Sequence, residues 1–100
     1  MSAVSEATKE KIIQKMKTQL SASSVEVIDE SLKHAGHAGS AAGGGHFILH
    51  VVSGKFEGVP LLDRNRMVFD ILKEEMQGEI HALVIKAKTP QEASHSARIV

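Results

Sequence analysis

The chain has 100 residues, a length for one domain, and its twelve Lys and Arg balance twelve Asp and Glu. Zero formal charge speaks against a dominant electrostatic binder of nucleic acid or membrane surface, which would carry a basic excess. With no cysteine the chain forms no disulfide, thiolate zinc site or Cys nucleophile and holds no iron–sulfur cluster alone, while six histidines stand out.

Residues 6–20 predict a first helix: Ile12, Ile13, Met16 and Leu20 share a face, and Ser5 is placed as its N-cap. Lys9, Lys11, Lys15 and Lys17 read as its solvated side. Residues 25–29 (Val-Glu-Val-Ile-Asp) alternate as a short strand. Residues 31–45 have neither period and hold five of the eight glycines, the mark of a functional or disordered loop. His46 to Ser53 predicts a second strand with Phe47, Leu49 and Val51 on one face and His46, Ile48, His50 and Val52 on the other. Gly54, Gly58 and Pro60 mark a turn. A second helix is expected over 63–77, burying Val68, Ile71, Leu72 and Met76, with Gly78 as its stop. Ile80 to Ala87 predicts a third strand that Thr89-Pro90 ends. Residues 91–100 are a short helix or tail, and 1–5 and 91–100 are expected to be loose ends of a single domain.

The order α-β-β-α-β predicts a hairpin followed by a helical crossover, which makes the third strand parallel to the second. Both strands then start at the loop end of the hairpin. His81, His46, His34 and His37 should therefore converge on one end of the sheet, although they are remote in sequence. Imidazole is a common ligand for borderline metals. The alternative is that loop histidines are solvated and strand histidines are satisfied by backbone. His34-x-x-His37 has no zinc-site spacing of strength, and two histidines leave a metal site incomplete. With no Cys, any missing thiolates would come from another molecule.

Asp63-Arg64-Asn65-Arg66 opens the second helix. Two arginines there oppose the helix dipole, with Asp63 offsetting them as cap or first-turn acid. They suggest an anion or carboxylate site, or surface pairs with Glu57, Asp63 or Asp70. Gly36-His37-Ala38-Gly39 matches a phosphate-clamping GxxG loop by letters alone. Ser94-His95 lacks an acidic orienter for a triad.

Several segments together resemble the BolA family. Phe56-Glu57-Gly58-Val59-Pro60-Leu61 is similar to its F-x-G-x-x-L turn, and Arg64-Asn65-Arg66-Met67-Val68 to its R-H-R-x-V helix start. Ile80-His81-Ala82-Leu83 with Thr89-Pro90 resembles its third strand. Asp29-Glu30-Ser31, His34-Ala35-Gly36-His37 and His46-Phe47 resemble its histidine-containing loop branch. The match covers roughly residues 10–90. It implies a KH-like α+β fold: a three-stranded mixed sheet with helices on one face.

The resemblance further implies a non-enzymatic adaptor in iron–sulfur trafficking that forms a heterodimer with a monothiol glutaredoxin and shares a [2Fe–2S] cluster with it. The partner would supply cysteine and glutathione sulfur. By position His81 matches the strand ligand and His37 the loop ligand, with His34 the alternate. Arg64, Asn65, Arg66 and Lys55 would contact the partner or an anion. Asn65 stands where the family usually has His, and it cannot titrate.

The rival expectations are a nucleic-acid-binding transcription regulator using Arg64, Arg66, Lys55 and Lys73, and a plain module holding zinc or copper on loop histidines. A monomeric apo form is expected. No stretch approaches the roughly 20 apolar residues of a membrane span. Met1–Lys11, with Glu6, Glu10 and no Arg, does not resemble a targeting peptide. The expected setting is reducing and aqueous: cytoplasmic, with mitochondrial matrix or nucleus as alternatives.

Overall fold

The computed structural model describes residues 3–30 and 45–97. Helix α1 (Ala3–Gln19) leads into β1 (Ser24–Asp29). Strand β2 (Gly45–Val52) is followed by a short 3-10 helix, Gly54–Phe56. Then come α2 (Leu61–Ile71), a second 3-10 helix (Glu75–Gln77), β3 (Ile80–Lys88) and α3 (Pro90–Ala97). The sheet order is β1-β2-β3, with β1 antiparallel and β3 parallel to β2. The expected mixed sheet and crossover are therefore present.

On α1, Thr8, Ile12 and Met16, with Leu20 just past its end, are buried at a spacing of four, one helical stripe, while Ile13 is half-buried at its border. The helix begins at Ala3, so Ser5 lies inside the first turn and not at the cap. Ser21 ends it in the left-handed region at φ 49°, and Ala22 N–H closes back on Met16 C=O at 3.3 Å.

The stripe meets Val27, Phe47, Leu49, Val51 and Ala87 from one sheet face, together with Val68, Leu72 and fully buried Phe56. Strand β2 alternates between buried and half-buried throughout, so the expected two faces are correct. The opposite sheet face carries a cross-strand row of Ile28, Ile48 and Val84 beside a row of Glu26, His50 and Lys86.

Helix α2 is shorter than the 63–77 expected. It starts at Leu61 behind Pro60, which provides no side-chain cap, and Asp63 sits in its first turn. At its other end Leu72 leaves helical geometry (ψ 16°) and the chain tightens into the 3-10 helix. This bend brings buried Glu75 onto Lys15 of α1 at 2.8 Å. Gly78 follows in extended backbone, φ −173°, so it does not act as a left-handed stop. Ser53 joins three elements: its N–H donates to Lys88 C=O (3.0 Å), its hydroxyl donates to Leu20 C=O (2.5 Å), and the same oxygen accepts from Lys55 N–H (3.0 Å).

Gly45 opens β2 under the ring of Phe47. A Cβ at this position would stand 2.7 Å from Phe47 Cζ, closer than packed carbon atoms allow. Gly45→Ala must therefore push a core ring aside. We expect a loss of about 1–3 kcal/mol in urea unfolding, the usual range for overpacking. A loss under about 0.5 kcal/mol, the scale of ordinary surface changes, would show that the ring moves without cost.

Candidate functional site

Two of the sequence-predicted histidines meet at one end of the sheet. Parallel pairing makes β2 and β3 start there, and Glu30 N–H donates to His46 C=O at 2.7 Å, so β1 ends there too. The register runs regularly from Val52↔Lys88 back to His46↔Ala82, then slips: the next pair is Gly45↔Ile80. His81 is the extra residue of a β-bulge. Regular alternation would give residue 81 the core parity of Leu83, Ile85 and Ala87. The bulge inverts that phase, so Ile80 is buried and His81 exposed. The half-buried His46 ring lies 5.1 Å from the His81 ring, centroid to centroid, with the planes inclined by 41°. His34 and His37 lie outside the described residues.

Glu79 anchors this rim. Its carbonyl accepts from Gly45 N–H at 2.9 Å, and its carboxylate takes Lys11 Nζ at 2.7 Å and Thr8 Oγ1 at 3.0 Å. The Lys11 ammonium holds the Glu79 carboxyl below the usual carboxylate range, helped by Thr8 and opposed by partial burial. Lys11 is raised in turn by its bond to Glu79. Lys11 and Lys15 are thus clamps between α1 and the α2–β3 connection, a correction to the expected solvated face.

Arg64 and Arg66 do not form a joint anion site. Arg64 is buried, and its guanidinium is occupied within the chain. Nε donates to Val59 C=O at 2.7 Å, and Nη1 to Ala87 C=O at 3.1 Å. Nη1 and Nη2 donate to the two Glu92 carboxylate oxygens at 2.7 and 3.2 Å. Its Cζ also lies 5.9 Å from the Phe56 ring centre. The reason is helical phase: Arg64 stands four residues before Val68 and eight before Leu72, on the buried stripe. Arg66 faces the other way, 72% exposed, and lies 3.7 Å from Asp63, the surface pairing foreseen for it. Lys55 is exposed. Half-buried Asn65 lines an open groove of about 410 Å³ with Leu61, Ile85, Lys86, Ala87 and Glu92.

The sequence reading missed Glu92. Thr89-Pro90-Gln91-Glu92 is a capping box with Pro at the first helical position: Glu92 N–H donates to Thr89 Oγ1 at 3.1 Å and Thr89 N–H to Glu92 Oε1 at 3.0 Å. That signature was legible and makes 90–97 a helix. Arg64, then the Thr89 N–H, draws the Glu92 pKa from 4.5 down to about 2.

This mixed sheet with α1 and α2 packed on one face defines a KH-like α+β domain. The family model described as BolA-like protein matches residues 16–92. The chain is 46% identical over 76 residues to BolA-like protein 1 of Mus musculus, covering 76% of this chain and 53% of that protein. It is 36% identical over 84 residues to the DNA-binding transcriptional regulator BolA of Escherichia coli K12, covering 84% of this chain and 77% of that one. The solved BolA domain of SufE1 from Arabidopsis thaliana matches at a TM-score of 0.74 and 40% identity, over 86% of this chain and 95% of that one. The chain belongs to the BolA family. It spans about half the length, or less, of several curated relatives.

A group whose folded pKa is depressed adds stability above its unfolded value and loses it as pH falls through the folded value. The Glu92 contribution should therefore fade between pH 4.5 and about 2. Unfolding curves across this window should fall more steeply for the parent than for Glu92→Gln; parallel curves would refute the linkage. Arg64→Ala should cost about 1–3 kcal/mol, because it leaves the Val59 and Ala87 carbonyls without their donor, while half-exposed Glu92 regains water. Arg66→Ala should stay within about 0.5 kcal/mol of the parent. Urea titration separates the two.

Proposed function

We propose that this protein is an iron–sulfur trafficking adaptor that pairs with a monothiol glutaredoxin and lends histidine ligands to a shared [2Fe–2S] cluster. The observation that carries the reading is His81. A bulge turns it out of the core at the sheet end where β1 leaves and β2 returns, in a chain without cysteine. His81 and loop residue His37, with His34 the alternate, are the ligands offered by this chain. The partner brings its cysteine and glutathione. Membership of the BolA family supports this, because the glutaredoxin pairing belongs to what the resemblance implies.

The donor set fits the group, since imidazole ligates iron readily and replaces thiolate at one iron of some [2Fe–2S] centres. When bound, the cluster would supply one-electron chemistry, and imidazole ligation raises its potential. The protein's own part is to present His81 without unfolding and to hold the rim in place through the Glu79–Lys11 clamp. Arg66 and Lys55 are exposed but follow the end of β2 opposite the His81 rim, so they are contacts only for a partner that extends along the sheet. Arg64 is spent on Glu92 and is not among them. An adaptor of this kind performs no catalysis and works in a reducing aqueous compartment, the cytoplasm or an organelle matrix.

The test is reconstitution with a monothiol glutaredoxin, glutathione, iron and sulfide, read by visible circular dichroism. The heterodimer should give a cluster spectrum distinct from that of glutaredoxin alone, and a His37→Ala, His81→Ala double variant should lose it. An unchanged spectrum rejects the ligand assignment.

A second reading, nucleic-acid binding, is favoured by the name of the E. coli relative, a DNA-binding regulator. Exposed Arg66, Lys55 and Lys73 would contact phosphate. The logarithm of its affinity for duplex DNA should then fall against log salt with a slope of about −0.9 per neutralised phosphate. A slope near zero removes this reading.

A further inference from the structure

We infer that His46 and His81 form a two-imidazole site for one divalent transition-metal ion of the copper, nickel and zinc class, available when no partner is bound. Nitrogen donors bind such ions at about 2.0–2.1 Å, which sets the ring centroids of two imidazoles on one tetrahedral ion roughly 5 Å apart. The observed separation is 5.1 Å. A tilt of 41° is not that of a parallel stack, so the pair is not held as two stacked faces.

The backbone brings both imidazole rings together in advance. His46 stands on β2 and His81 at the bulge of the adjacent β3, joined by the ladder on one side and by Gly45↔Ile80 on the other. Glu79 and Lys11 fix the strand immediately before. Donors held by a sheet lose little freedom on binding, which favours affinity. Neither donor needs to leave the core: His81 is exposed and His46 half-buried.

Among the described residues no group of three His, Cys, Asp or Glu could hold a metal; the ion is assigned to these two strand imidazoles, with water or an exchangeable ligand in the remaining positions. An all-nitrogen pair of this kind follows the ordinary affinity order, with Cu²⁺ bound more tightly than Ni²⁺ or Zn²⁺. The site uses strand residues only, which separates it from a zinc or copper site on the loop histidines. It shares His81 with the proposed cluster, so ion and partner would exclude one another.

The experiment is titration of the protein with Cu²⁺ in the absence of any glutaredoxin, by calorimetry and by paramagnetic broadening of assigned histidine ring resonances. One ion should bind per chain and broaden His46 and His81 first. Loss of an outer-shell partner alone costs metal affinity about 10–100-fold. His46→Ala and His81→Ala should each therefore weaken binding at least about tenfold. His50→Ala and the His34→Ala, His37→Ala double variant should bind as the parent does. Far-ultraviolet circular dichroism checks the fold of each variant. Absence of binding by the parent, or parent-like affinity in His46→Ala, overturns the proposal. Because the partner is absent, failure here leaves the shared-cluster reading standing, and failure of glutaredoxin reconstitution leaves this site standing.

Discussion

The pairing of β3 beside β2 in the same direction governs the architecture. A parallel neighbour cannot be reached by a tight turn, so the chain must cross over a face of the sheet through α2. Once this crossover exists, the two strand starts share one end and the two strand finishes share the other. The first end collects His46, His81 and Glu79. The second collects Ser53, Thr89 and, through α2, Arg64. The histidine pair stands at one pole and the closing contacts at the other, with a common apolar layer between them.

Much of this was readable from residue order. The strand faces of β2, the stripe of α1 and the convergence of His46 with His81 follow from period and topology alone. What escaped has specific causes. The bulge at His81 leaves only a faint trace in hydropathy, the apolar phase shifting from Ile80 to Leu83, Ile85 and Ala87, and it is the register with Gly45 that shows the slip. Arg64 lies on the buried stripe because of its helical phase, four residues before Val68 and eight before Leu72, and phase outweighs its charge there. The early end of α2 depends on Glu75 finding Lys15, a partner 60 positions away that no local pattern announces. The capping box at Thr89 is legible in sequence: Pro90 ends the strand and also opens the helix at its first position.

Charged residues in this small domain act chiefly as connectors. Lys11 with Glu79 and Lys15 with Glu75 tie α1 to the α2–β3 connection, and Arg64 with Glu92 ties α2 to α3. Exposed pairs of this kind add little on their own. The Arg64 and Glu75 side chains differ because they are buried, and a buried charge binds its partner's position tightly once its water is gone. The helices are therefore held in register with the sheet by directional contacts at their ends and by apolar contacts along their lengths.

One contact of Arg64 bears on how the molecule keeps to itself. β3 is an edge strand, and exposed edges invite foreign strands to add to the ladder. The guanidinium occupies the Ala87 carbonyl, and Glu92 carries α3 back across the same stretch. The end of the edge is thereby blunted from inside the fold, in addition to the exposed Lys86 on the strand and Pro90 just past it. The same contacts that hold α2 and α3 to the fold thus also occupy the border at Ala87.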